Sequence, residues 1–130
     1  MPRFKLVFFV PVKDTSRVLN HVFAKMPHEV GKIGHYESCA FVSRGTGQFK
    51  PGPEANPAIG TRGELEFVEE NKVEVVVNDK GANEEIKSAI RELKSVRTIA
   101  SFLCLIMVLS RLQVHPYEEV AYDVYRMEDF

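Results

Sequence analysis

Residues 4–12, FKLVFFVPV, form a nearly unbroken apolar run of β-branched and aromatic side chains that ends at a proline-containing stretch. A run of this kind, without polar alternation, predicts a central strand buried on both faces. The period then changes. Val18, Leu19, Val22, Phe23 and Met26 recur at helical spacing behind Asp14, Thr15 and Ser16, which offer N-cap chemistry, and Pro27 follows. These positions predict a helix over 14–26. A glycine-punctuated turn leads into YESCAFVSR (36–44), whose alternation predicts a second strand. GTGQFKPGPEANPAIGTRG (45–63) holds five of the eight glycines and is expected to be a loop, with Gly45 and Gly47 at a tight bend. Its length, unusual in a compact domain, points to a functional or interface loop. ELEFVEENKVEVVVN (64–78) is strand-like, with Asn71 as a turn or bulge between two segments. GANEEIKSAIRELKS (81–95) predicts an amphipathic helix: Asn83 caps, Glu84 and Glu85 suit the positive end, and Ile86, Ala89, Ile90 and Leu93 make one stripe. EEVAYDVYRM (118–127) alternates as a last strand.

The order strand, helix, strand, strand, helix, strand predicts a ferredoxin-like α+β sandwich, βαββαβ, with both helices on one face of an antiparallel sheet. The other face then needs cover. With Phe8, Val10, Phe41 and Val75 available to the two faces, a second subunit is the natural source of that cover.

Composition fits one soluble globular domain: 130 residues, 45% hydrophobic, formal charge -1. Lys and Arg are scattered, which argues against nucleic acid or anionic lipid as partner. Cys39 and Cys104 lack both disulfide density and CxxC spacing, so free thiols in a reducing, cytoplasmic setting are expected. The N-terminal apolar run is broken by Lys5 and Pro11 and has no small-residue cleavage site, so it reads as a strand rather than a signal peptide.

One segment departs from the pattern. TIASFLCLIMVLS (98–110) carries no charge across thirteen residues between Arg97 and Arg111, too few for a bilayer span of about 20. Continued from the preceding helix, it would be apolar nearly all round, so a long, poorly packed projecting helix is expected there.

KLVFFVPV, GKIGHYESCAFVSRGTGQFKPGPEANPAIG, GELEFVEENKVEVVV and HPYEEVAYDVY, in that order, resemble the small domain of the Nif-three-like family, across residues 4–95 and 114–127. The resemblance implies a CutA- and PII-like, trimer-forming unit, here in free-standing form. The family's metal pair is held by a larger domain with no counterpart in these motifs, so no dinuclear site is carried over. Residues 96–113 interrupt the pattern: deleting them joins AIRELKS to VHPYEEVAYDVY. The segment begins with Val, encoded by GTN, and ends with Gln, encoded by CAA or CAG. Val96-Arg97-Thr98 is compatible with GTACGTAC, near a 5′ splice-site consensus. Eighteen codons keep the frame and match a short fungal intron, so the segment reads as translated retained intron.

Candidate chemistry is sparse, and no catalytic constellation stands out. His115, Tyr117 and Glu118 in HPYEE offer a ligand or acid-base group, although Glu118 and Glu119, adjacent on a strand, point to opposite faces. His35 and Cys39, about 13 Å apart if 36–44 is extended, do not ligate one metal, and Cys39 reads as a small buried thiol. GTGQF has glycines but lacks GxxxxGK[ST] and opens no helix, which leaves Gly45, Thr46, Gly47 and Phe49, with Tyr36, as interface residues. His21 and His28 read as solvated. Two functional readings follow: a non-enzymatic, oligomeric binding or regulatory module, with trimer favoured, and a small-ligand or metal-ion sensor of CutA/PII type. No cofactor is expected beyond the divalent metal such a sensor would take. A hydrolase, inherited only by name from the metal-bearing domain, is the outsider.

Overall fold

A computed structural model describes residues 2–55, 60–96 and 120–130. β1 (Arg3–Pro11) leads through one 3-10 turn (Val12–Asp14) into α1 (Thr15–Lys25). β2 (Phe41–Phe49), β3 (Glu66–Asn78), α2 (Glu84–Ser95) and β4 (Tyr122–Met127) follow. The sheet order is β2-β3-β1-β4, and every neighbouring pair is antiparallel. This is the ferredoxin-like arrangement that the element order predicts, with β1 central.

Register sorts the side chains. Phe4, Leu6, Phe8 and Val10 of β1 stand opposite Val77, Val75, Val73 and Asn71 of β3, and so point to one face of the sheet. The apolar members of this set join Val18, Val22 and Met26, and Ile86, Ala89 and Leu93 from α2, in one buried cluster. Both helices therefore cover the same sheet face. Each is held by the stripe its sequence shows, and truncating a fully buried member such as Leu93 to Ala costs about 2–5 kcal/mol.

The start of α2 is built differently from expectation. Asn83 adopts a left-handed conformation, φ 62°, and its side chain makes no capping bond. Asp79 does this work instead: its carboxylate accepts from the backbone N–H groups of Gly81 (2.7 Å), Asn83 (3.0 Å) and Ile86 (3.1 Å). At the other end α2 stops at Ser95, and Val96 is already extended, with φ -68° and ψ 128°. The helix does not run on into the oily block, which itself lies outside the described residues along with Cys104.

The strand expected at 36–44 is displaced. β2 begins at Phe41 and takes in Gly45, Thr46, Gly47 and Phe49, pairing residue for residue with Glu66–Glu74. Glycine weakens a strand without forbidding it, and β2 pairs with β3 alone among the described residues, so it forms an edge where that weakening is tolerated. Asn71 is neither turn nor bulge: β3 passes through it unbroken for 13 residues. Its amide donates to Thr15 Oγ1 at 2.9 Å, and Thr15 donates to the Pro11 carbonyl, tying β3 to the start of α1.

Residues 26–40 carry the chain from α1 to β2 along the end of β3 that β2 does not reach. Val30 bridges to Val77, Gly31 N–H donates to the Val76 carbonyl, and Asn78 N–H donates to that of Glu29. Gly31 needs its missing Cβ. With φ +77°, an added Cβ would sit 2.5 Å from the Phe23 ring and 3.0 Å from the Cys39 carbonyl oxygen.

Candidate functional site

The sheet face not covered by the helices, with the β2–β3 arm, holds four of the predicted site residues, Gly45, Thr46, Gly47 and Phe49. Across it, Phe41, Glu74, Val7 and Asp123 form one row, and Val76, Lys5 and Tyr125 another. Phe41 is 65% exposed and Tyr125 56%. Lys5 and Glu74 pair at 3.9 Å between the two rows. Gly45, Gly47 and Phe49 continue this side of β2 beside Glu70, Val68 and Glu66. Gly47 serves a close approach, because a Cβ there would fall on the Glu70 carboxylate. The bend predicted for Gly45 and Gly47 is thus a strand surface on which a longer side chain lies.

On the arm's opposite side, Thr46 donates to Glu69 Oε1 at 3.0 Å and Arg44 donates to Oε2 at 3.4 Å. Phe67 (61% exposed) and Val42 lie on that side, and Leu65 (51% exposed) precedes β3. The arm therefore presents exposed apolar side chains, Phe67 and Val42, among charged ones. His35 and Tyr36 project from the 31–40 stretch, both exposed, with Tyr36 and Ile33 exchanging backbone hydrogen bonds. Cys39 is half-buried rather than buried: its N–H bonds the Gly31 carbonyl, while its thiol reaches only the Glu37 carbonyl at 3.8 Å. Residues 36–40 are not strand, so the strand spacing assumed for His35 and Cys39 does not hold. No group of three or more His, Cys, Asp or Glu side chains among the described residues is placed to hold a metal. His115, Tyr117 and Glu118 lie outside the described residues.

His21 is the residue that sequence reasoning misplaced. It is half-buried, and its Nε2 lies 2.9 Å from Glu92 Oε2, joining α1 to α2. Its position three residues after Val18 and one before Val22 puts it at the rim of the buried stripe, which is the signal that could have found it. Ser95 Oγ lies 3.4 Å from the same Nε2 and donates to the Glu92 carbonyl at 2.9 Å. A catalytic relay needs the acid and the nucleophile on different ring nitrogens, so this trio is a clasp between helices. Nearby, a cleft of about 330 Å³ is lined by Lys25, Met26, Glu29, Glu84, Glu85, Ser88 and Glu92.

Two carboxyls have displaced proton affinities. Burial pushes Asp14 up, against the pull of Lys13 and Arg17, and its Oδ2 has no hydrogen-bond partner among the described residues. Burial acts on Asp79 in the same direction, but the N–H groups of Gly81, Ile86 and Asn83, with the Glu85 side chain, outweigh it and hold Asp79 below the usual carboxylate range.

Known proteins carry the same domain. The chain is 38% identical over 122 residues, 94% of its length, to a protein from Halalkalibacterium halodurans named GTP cyclohydrolase 1 type 2 homolog. It is 40% identical over 98 residues to the protein of that name from Bacillus subtilis. The crystal structure of a Bacillus cereus protein related to NIF3 superposes on 98% of the chain with a TM-score of 0.65 and 30% identity. This is a domain of the Nif-three-like family. The chain covers 26%, 20% and 26% of those three proteins, about a quarter of their length. No protein-family model matches it. In this Nif-three-like domain, no helix among the described residues is long and apolar enough to cross a membrane.

Proposed function

We propose that this domain is a non-enzymatic, self-associating binding module of Nif-three-like proteins, assembling with copies of itself, in the trimer that its resemblance to the family's small CutA- and PII-like domain implies. The observation that carries the reading is the apolar surface of the sheet and arm: Phe41, Phe67, Tyr125 and Leu65, each more than half exposed. Large apolar side chains clustered on one sheet and hairpin point to a protein interface, because an isolated monomer gains nothing by leaving them in water. β2 adds nine residues of edge strand, whose outer backbone groups suit pairing with another copy.

The cyclohydrolase in the relatives' names belongs to proteins about four times longer. Neither the His21 clasp nor the spread of His, Cys, Asp and Glu over the described residues supports placing that chemistry in this domain. Titration with copper, zinc and ATP separates the module from a ligand sensor. The module predicts no shift in melting temperature at high micromolar ligand, and a saturable shift would replace it with the sensor. Sedimentation of the protein tests the assembly itself, and replacing Phe41 or Phe67 by Glu should lower the subunit count while the fold is retained.

A further inference from the structure

Val96 is 3% exposed and belongs to the core cluster beside Leu93 and Ala89. It sits one residue beyond the end of α2, in extended conformation, so the direction of the chain is set before the uncharged block begins. The residue that follows Gln113 is again a valine, Val114. Removing 96–113 would place that valine directly after Ser95, with an identical side chain and a free choice of the same extended geometry. Eight residues, 114–121, would then link α2 to β4 in place of twenty-six, which falls within the ordinary range for connections in compact domains.

We propose that residues 96–113 are a fold-neutral insertion, and that the one core position after Ser95 is filled by Val96 when the insertion is present and by Val114 when it is absent. The same domain is thereby encoded with or without the oily block, and the two forms differ in the apolar segment they carry rather than in fold. The inference stands apart from the assembly reading, since it concerns a position on the helix-covered face.

The test is a transfer of sensitivity between two positions. In the full chain, Val96→Asp should lower the melting temperature by about 10 °C or more, and Val114→Asp by no more than about 2 °C. In a variant lacking 96–113, which should melt cooperatively within a few degrees of the full chain or above it, Val114→Asp should carry the large loss. If Val96→Asp does not fold, Val96→Ala in the full chain and Val114→Ala in the shortened one should give matching smaller losses. A shortened chain that fails to fold, or a full chain as sensitive at 114 as at 96, would overturn the proposal.

Discussion

Asp79 shows how much one side chain can organise. Three backbone N–H groups at the start of α2 converge on its carboxylate, which is itself fully buried. Replacing it with Ala leaves those donors without their acceptor and should cost about 1–3 kcal/mol in denaturant unfolding at neutral pH. Because the folded carboxyl lies below its unfolded value, its contribution is present above the unfolded pKa of about 3.9 and is lost as pH falls through the folded value. The gap between the native protein and Asp79→Asn should therefore narrow in melts taken below pH ~4. Asp14 has the opposite sign. Its folded carboxyl is raised, so its charge opposes folding above the folded pKa, and that opposition fades as pH falls toward the unfolded value. Asp14→Asn should melt a few degrees higher at pH 7, with the advantage gone near pH ~4. At this scale the sequence was only partly legible. Asn83 has the right residue type for a cap and the right place before Glu84, yet a left-handed backbone turns the role over to a residue four positions earlier, and no local pattern reports that exchange.

Elements were legible wherever a periodic face meets a buried partner. α1 and α2 fall within a residue or a few of their expected bounds because Val18 and Val22, and Ile86, Ala89 and Leu93, need the sheet. β2 was not, because an edge strand is fixed by backbone pairing with β3 and its side chains, Gly45 and Gly47 among them, carry no burial signal. The candidate site shares that difficulty: Phe41 was read correctly as available for a face, while the arm carrying Phe67 and Leu65 depends on a pairing register that sequence alone does not display. The turn after α1 offers an element-scale test. Gly31→Ala meets both the Phe23 ring and a positive φ, so it should cost about 2 kcal/mol or more in equilibrium unfolding, whereas Gly34→Ala has open space around the new methyl and should cost only the strain of its φ of +60°. For the connection after α2, transcript reads that skip the fifty-four nucleotides encoding 96–113 are the expected outcome of the intron reading, and uniform inclusion of them would contradict it.

Among the described residues, the molecule is a sheet with one face covered by two helices and the other, with the β2–β3 arm, carrying exposed Phe, Leu and Tyr. Burial of such side chains yields roughly 25 cal/mol per Å² removed from water, so their exposure in a single chain leaves a large contribution unused. The proposed assembly with further copies would recover it, and a charge on that surface should then oppose assembly: Phe41→Glu should shift the protein to smaller species without loss of helical and strand signal in circular dichroism. The most direct measurement is the mass of the protein in solution by sedimentation equilibrium at micromolar concentration. The expected mass is about three times the 14.8 kDa of one chain. A species that remains at the mass of a single chain across that range would contradict it.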